Sequence, residues 1–193
     1  MSQADRKKWD RRYREGAYLE RVRPAELLVE WLPRLRHGTA LDLACGAGRN
    51  ALFLAQSGFC VDAMDISPVA LERARASADA LGVSVNWIHA DLDSDPLPTQ
   101  DYDLIVMMRY VNHALAPRLA SRLAQGGYFV CEQHLVRTED VTGPSSPRFR
   151  FKRGELRKYA QDLEICYYEE GLVDDADGRQ AALARLVARR SPG

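Results

Sequence analysis

No apolar run in this chain approaches the roughly 18 residues that a membrane-spanning helix needs, so no bilayer segment is expected. The opening stretch, MSQADRKKWDRRYREGAY, is too polar to be the apolar core of a signal peptide. Net charge is also missing: 27 basic residues meet 27 acidic ones, leaving no overall field to steer the molecule onto nucleic acid. Cysteine is sparse. Cys45, Cys60, Cys131 and Cys166 show neither a CxxC pair nor zinc-ligand spacing, so each is read as a small buried apolar residue in a reducing, cytoplasmic setting. No metal site is expected. Repeats and low-complexity tracts are lacking as well, and 193 residues suit one domain rather than two.

What is present alternates between two kinds of segment. RPAELLVEWLPRLRHG reads as a helix entered at Pro24 and ended around Pro33, because proline removes an interior donor. TALDLA is a continuous apolar run of the kind found in strands buried on both faces. GRNALFLAQSG sets Ala51, Leu54 and Ala55 on one helical face, with Gly58 just beyond its end. FCVDAMD is a second strand, and the helix after it starts with Ser67 as N-cap and Pro68 in its first turn. VSVNWIHA and YDLIVMM give strands three and four, HALAPRLASRLAQGG a helix broken near Pro117, and YFVCEQHL strand five. Near the end, GELRKYAQDL looks helical, EICYYEE extended, and AALARLVARR helical by propensity. Such alternation implies an α/β fold with a doubly wound, mostly parallel sheet.

Between the first strand and its helix lies CGAG. Gly46 and Gly48 allow a tight turn and a close ligand approach, while the helix N-terminus offers unpaired N–H groups. Alone, such a turn is weak evidence for a ligand. Asp42, inside an apolar strand, needs partners, which loop amides or a ligand's ammonium would supply. Asp65 ends the second strand roughly 20 residues beyond the loop, where an acid grips both hydroxyls of a ribose. Asp91, in HADL, is placed to accept from an adenine amino group, whereas Asp93 and Asp95 are read as solvated. Asn50 and Ala51 stand where a dinucleotide loop carries its third glycine, so adenosine with an amino-acid tail fits better than NAD.

LDLACGAGRNALFLA, VDAMDISPVALERAR, HADL and YDLIVMM resemble successive motifs of class I S-adenosylmethionine-dependent methyltransferases. GRN together with FRFKRGELRKY is similar to the small tellurite-resistance-type branch. The resemblance implies a seven-stranded sheet with an antiparallel last strand, assigned to residues 180–190 against propensity. It also implies that the Ala44, Cys45, Gly46 and Gly48 backbone flanks the methionine moiety, with Asn50 following. Asp65 and Ile66 would then meet the ribose, Asp91 and Leu92 the adenine, and Met107 and Met108 the sulfonium. Where branch members carry a His-Arg pair before the final strand, this chain reads GLVDDADGRQ, a departure that speaks against tellurite itself.

A sulfonium-borne methyl is already activated, so the protein must mainly hold an acceptor in line at about 3 Å and exclude water. Soft nucleophiles such as thiols or chalcogens need little more, while amines and hydroxyls need a base. Arg109, Tyr110 and His113 follow the fourth strand and are the catalytic candidates, with His113 as the potential base. His134, after the fifth, is read as plain surface. Arg148 and Arg150 in GPSSPRFRFKRGEL suit an anionic substrate group. Residues 1–22 form a candidate lid, with Tyr13 one helical turn from Trp9 and facing the cofactor cation, and residues 23–193 form the single catalytic domain.

The expectation is therefore a methyltransferase acting on a small molecule, yielding S-adenosylhomocysteine, as a monomer or weak homodimer away from membranes and nucleic acid. The alternatives are a cofactor-binding module without turnover and a methyltransferase acting on RNA or protein. Only the basic N-terminal run favours RNA, and no Asn-Pro-Pro-Tyr-like motif follows the fourth strand.

Overall fold

The computed structural model describes residues 3–136, 141–174 and 178–191. A first helix, α1 (Gln3–Arg14), leads to α2 (Glu26–Trp31), which tightens into a 3-10 turn at Leu32–Arg34 around Pro33. Then strand and helix alternate: β1 (Thr39–Leu43), α3 (Arg49–Gln56), β2 (Cys60–Asp65), α4 (Pro68–Leu81), β3 (Asn86–His89) and β4 (Tyr102–Met108). A short α5 (Ala116–Leu119) precedes β5 (Leu123–His134), and β6 (Glu164–Asp174) and β7 (Gln180–Arg189) close the sheet.

The seven strands lie in the order β3-β2-β1-β4-β5-β7-β6. Only β7 runs antiparallel to its neighbours, β5 and β6. Strand order reverses between β1 and β4, and in open sheets of this type the crevice at that reversal, beyond the carboxyl ends of the strands, receives ligands. The core lies on both faces. Leu41, Leu43, Ile105 and Met107 pack on one side, and Ala40, Val61, Leu104 and Val106 on the other. Ser67 caps α4 by accepting from the Ala70 amide at 3.2 Å, with Pro68 in the first turn.

Three sequence readings change. The helix expected up to residue 127 stops early: α5 is four residues long, a 3-10 turn covers Ala120–Arg122, and β5 already begins at Leu123, paired with Tyr102. The two glycines explain why. Gly126 has φ +75° and donates to the Arg190 carbonyl, and a Cβ on Gly127 would lie 2.9 Å from the Tyr102 carbonyl. The helix at GELRKYAQDL is a 3-10 segment, Glu155–Ala160. Cys60 and Cys166 are exposed, Cys60 at the start of β2 and Cys166 on the edge strand, while Cys45 and Cys131 are buried as expected.

Candidate functional site

A cavity of about 1220 Å³ opens at the carboxyl ends of the central strands. Its floor is the loop after β1, where Ala44 (φ +54°) and Gly46 (φ +58°) both adopt left-handed backbone, rare enough outside glycine to mark a constrained site. Asp65, at the end of β2, accepts from the Gly46 amide through Oδ2 and from the Ser67 amide through Oδ1, each at 2.8 Å. Burial pushes its pKa up, against the pull of these amides. Ala44, Cys45, Gly46, Asn50, Asp65 and Ile66 all line the cavity.

Gly48 does not line it. A Cβ there would lie 2.6 Å from the Trp87 ring and 3.1 Å from Ala74 Cβ, so this glycine serves helix–sheet packing rather than ligand approach. Asn50 lines the wall and also accepts from the Ala25 amide at 2.9 Å, tying the entry of α2 to the start of α3. Asp42 lies beneath the loop, 1 % exposed, with Oδ2 lacking a hydrogen-bond partner. Burial raises its pKa to about 7, opposed by Arg49 and the Ala51 amide. Its carboxylate meets the first turn of α3 through the Ala51 amide and is not part of the cavity wall.

The methionine pair divides by strand alternation. Met108 lines the cavity, while Met107 is fully buried on the opposite face. Arg109 (φ +59°) lines the wall but is held by Glu132, with Nη2 at 2.9 Å and Nε at 3.0 Å from Oε1. Arg185 grips the other oxygen of Glu132 at 3.2 Å and reaches Glu26 at 3.1 Å. Tyr110 lines the cavity and donates its hydroxyl to Asp93 Oδ1 at 2.9 Å, and burial holds its phenol well above the ordinary range.

His113 is exposed and lies outside the cavity, packed against Phe151 and Tyr159. A base is not brought to the cavity there. His134 is the reverse case: expected at the surface, it is 7 % exposed and lines the cavity. Asp91 and Leu92 do not reach the cavity, but Asp93, read as solvated loop, does. Arg148 lines the cavity with its guanidinium over the Phe149 ring. Arg150 instead pins the adjoining segment, donating to the carbonyls of Pro144 at 2.7 Å and Leu135 at 2.9 Å. His134 is the last residue of β5 and Asp93 lies in the loop after β3, so the only signal in the sequence was nearness to a strand's carboxyl end, which does not say which side chains face the crevice.

The N-terminal segment forms the opposite wall. Asp10 accepts from Ser67 Oγ at 2.6 Å, and Arg73 of α4 donates to the Ala17 carbonyl at 3.1 Å. Trp9, Tyr13 and Tyr18 cluster with ring centroids about 6 Å apart, and all three line the cavity. Tyr13 is buried, and burial together with the Asp65 charge raises its pKa. Among the described residues no group of His, Cys, Asp and Glu is arranged to hold a metal, and no helix is long and apolar enough to cross a membrane.

Residues 40–127, which supply β1 through β4 and their loops, match the family described as methyltransferase domain. Those residues, somewhat under half of the chain, are similar to that domain. The chain is 32% identical over 166 residues to hemagglutinin 1 of Eikenella corrodens, covering 79% of this chain and 54% of that protein. It is 25% identical over 163 residues to TehB of Haemophilus influenzae, a probable S-adenosyl-L-methionine-dependent methyltransferase, covering 78% of this chain and 56% of TehB. The chain thus spans about half the length of the curated relatives it matches. The TehB crystal structure superposes with a TM-score of 0.73 at 24% identity, over 85% of this chain and 61% of that one. Magnesium protoporphyrin IX methyltransferase of Synechocystis, solved with bound cofactor, gives 0.60 at 21% identity, over 85% of this chain and 76% of that one. At such identities the likeness establishes the fold: a seven-stranded, Rossmann-like methyltransferase sheet with β7 antiparallel, as the resemblance implied.

Proposed function

We propose that this chain binds S-adenosylmethionine in the cavity and catalyses methyl transfer to a small-molecule acceptor, leaving S-adenosylhomocysteine. The observation that carries the reading is the joining of the left-handed Ala44–Gly46 backbone and the Asp65 carboxylate in one wall. The cavity, at about 1220 Å³, exceeds the ~300–1,000 Å³ typical of one ligand, which suits a cofactor and an acceptor side by side. The names of the relatives point the same way.

In this reading Asp65 accepts from the ribose hydroxyls, Ile66 packs beside the sugar and base, and the loop after β1 flanks the amino-acid tail. Met108 lies beside the sulfur. Tyr13 and its aromatic neighbours cover the cofactor and keep water out, which strengthens every electrostatic contact inside. When bound, the cofactor supplies a methyl group already activated by a cationic sulfur. Acceptor alignment falls to Tyr110, His134 and Arg148, with Arg109 shaping the wall through its grip on Glu132. Arg148 favours an acceptor with an anionic group, and a soft nucleophile such as a thiol or chalcogen would react without a base.

Calorimetry with S-adenosylmethionine and S-adenosylhomocysteine tests the site. Release of S-adenosylhomocysteine across a panel of thiols, chalcogen oxyanions, amines and carboxylates tests turnover. Tight binding without turnover on any acceptor would leave a binding module, and no binding of either ligand would remove the reading.

A further inference from the structure

We propose that the acceptor is a small dicarboxylate, one end of which docks on Arg12 of the N-terminal wall and the other on Arg148 of the segment after β5. This rests on the cavity holding S-adenosylmethionine, and it narrows the acceptor class for that same site.

The arginines around the cavity are not alike. Arg109 is bonded to Glu132, and Arg150 pins two backbone carbonyls. Arg12 and Arg148 are exposed on the cavity wall, and among the described residues neither is paired with a carboxylate. Each is held over aromatic rings instead. Arg12 Cζ lies 5.1 Å from the Trp9 ring centroid and 5.4 Å from that of Tyr18, while Nη2 donates to the Tyr18 hydroxyl at 3.1 Å. Tyr18 takes up this position through left-handed backbone, φ +62°. Arg148 Cζ lies 4.5 Å from the Phe149 ring centroid. A ring face steadies the cation without using up its N–H fork, which still suits a flat carboxylate.

The methyl donor does not account for these charges. S-adenosylmethionine carries a sulfonium, an ammonium and a single carboxylate, so a cationic wall opposes its net charge. Lys8 stands one turn before Arg12 on α1 and lines the same wall. Cations at that spacing destabilise a helix unless an anion lies between them. Around the cavity cationic side chains outnumber acidic ones, although the chain as a whole is neutral. The two guanidiniums also come from distant parts of the chain. A diacid that reaches both ties the N-terminal wall to the late segment, and a monoacid does not.

Calorimetry on the S-adenosylhomocysteine complex tests this with the α,ω-dicarboxylates from succinate to suberate and the monomethyl ester of each. At one chain length or more, the diacid should bind at least about tenfold tighter than its ester. Arg12→Gln and Arg148→Gln should each bring that ratio close to one, a change that mere loosening of the wall would not produce. Arg11→Gln removes the same charge from α1 outside the cavity wall and should keep the wild-type ratio. The proposal fails if no diacid outbinds its ester, if the ratio survives in either cavity variant, or if Arg11→Gln abolishes it equally. It also fails if Arg12→Gln weakens S-adenosylhomocysteine but not 5′-methylthioadenosine, since the guanidinium would then serve the cofactor's own carboxylate. No binding of S-adenosylhomocysteine by the wild type is a different failure, that of the cofactor reading, and it removes this proposal as well.

Discussion

The Tyr13 hydroxyl rests against the α-carbon of Gly46, so closely that a Cβ on Gly46 would lie 2.5 Å from it. The N-terminal helix and the loop after β1 are thus fitted to one another, and the absence of a side chain is what lets them meet. Gly46→Ala should push Tyr13 out and also strain the left-handed backbone by ~1–2 kcal/mol. The expected outcome is a loss of cofactor affinity of about tenfold or more, with the thermal transition retained. Unchanged calorimetric affinity would show that the lid contact is irrelevant to binding.

Asp65→Ala removes the acceptor for the Gly46 and Ser67 amides together with the proposed ribose contact. Hydrogen bonds to a charged group contribute ~1.5–3 kcal/mol each, so affinity for S-adenosylhomocysteine should fall at least about tenfold. Binding within error of the wild type would remove the ribose from this position.

Asp42 gives a pH dependence. Its folded pKa of about 7 lies above the ordinary carboxyl value of 3.8, because burial disfavours the charged form. The stability it contributes is therefore complete below about pH 4 and is lost as pH rises through about 7. Asp42→Asn should stabilise the protein at pH 8 and flatten this part of the profile, with ~2–4 °C in Tm for each 1 kcal/mol recovered. A lower Tm at pH 8 than the wild type would contradict the account.

Glu132 is 1 % exposed between two arginines. Glu132→Ala leaves both Arg109 and Arg185 without their shared buried counter-ion, which should cost ~3–5 kcal/mol in urea unfolding. A loss below 1 kcal/mol would mean that water reaches these groups freely.

Arg148 and Arg150 should separate. Arg148→Ala should raise the KM of an anionic acceptor identified by the screen, leaving cofactor affinity and Tm unaltered. Arg150→Ala should instead lower Tm, since it frees the Pro144 and Leu135 carbonyls that Arg150 ties together. The opposite assignment of effects would exchange their roles.

The strands that alternate with helices were legible because β1, β2 and β4 are largely buried and read as short, mainly apolar segments interrupted only by single aspartates. Strand β7 was not legible from propensity, since QAALARLVAR is a good helix by composition. Its place between β5 and β6, with eight consecutive residues buried, overrides that preference, and only the family resemblance pointed to it. At the site, Asp65 and the Ala44–Gly46 loop could be read because one strand end and one glycine turn define them. Asp93 and His134 could not, because whether they face the crevice depends on how loops from different strands meet. Asp42 was misplaced for a related reason: one dimension does not distinguish a residue beside a loop from one underneath it.

The insertion of β7 between β5 and β6 returns the chain to the carboxyl end of the sheet just before Gln180. There the Gln180 carbonyl takes the Thr142 amide at 2.9 Å, so the two late segments join at the cavity mouth. In the proposed reading the N-terminal aromatics, the loop after β1 and Asp65 would hold the donor, with Met108 the one later residue beside it, while Tyr110, His134 and Arg148 would face the acceptor. If the proposed roles hold, exchanging residues 141–149 and Arg179–Gln180 for those of another homologue should change acceptor preference while cofactor affinity stays as in the wild type.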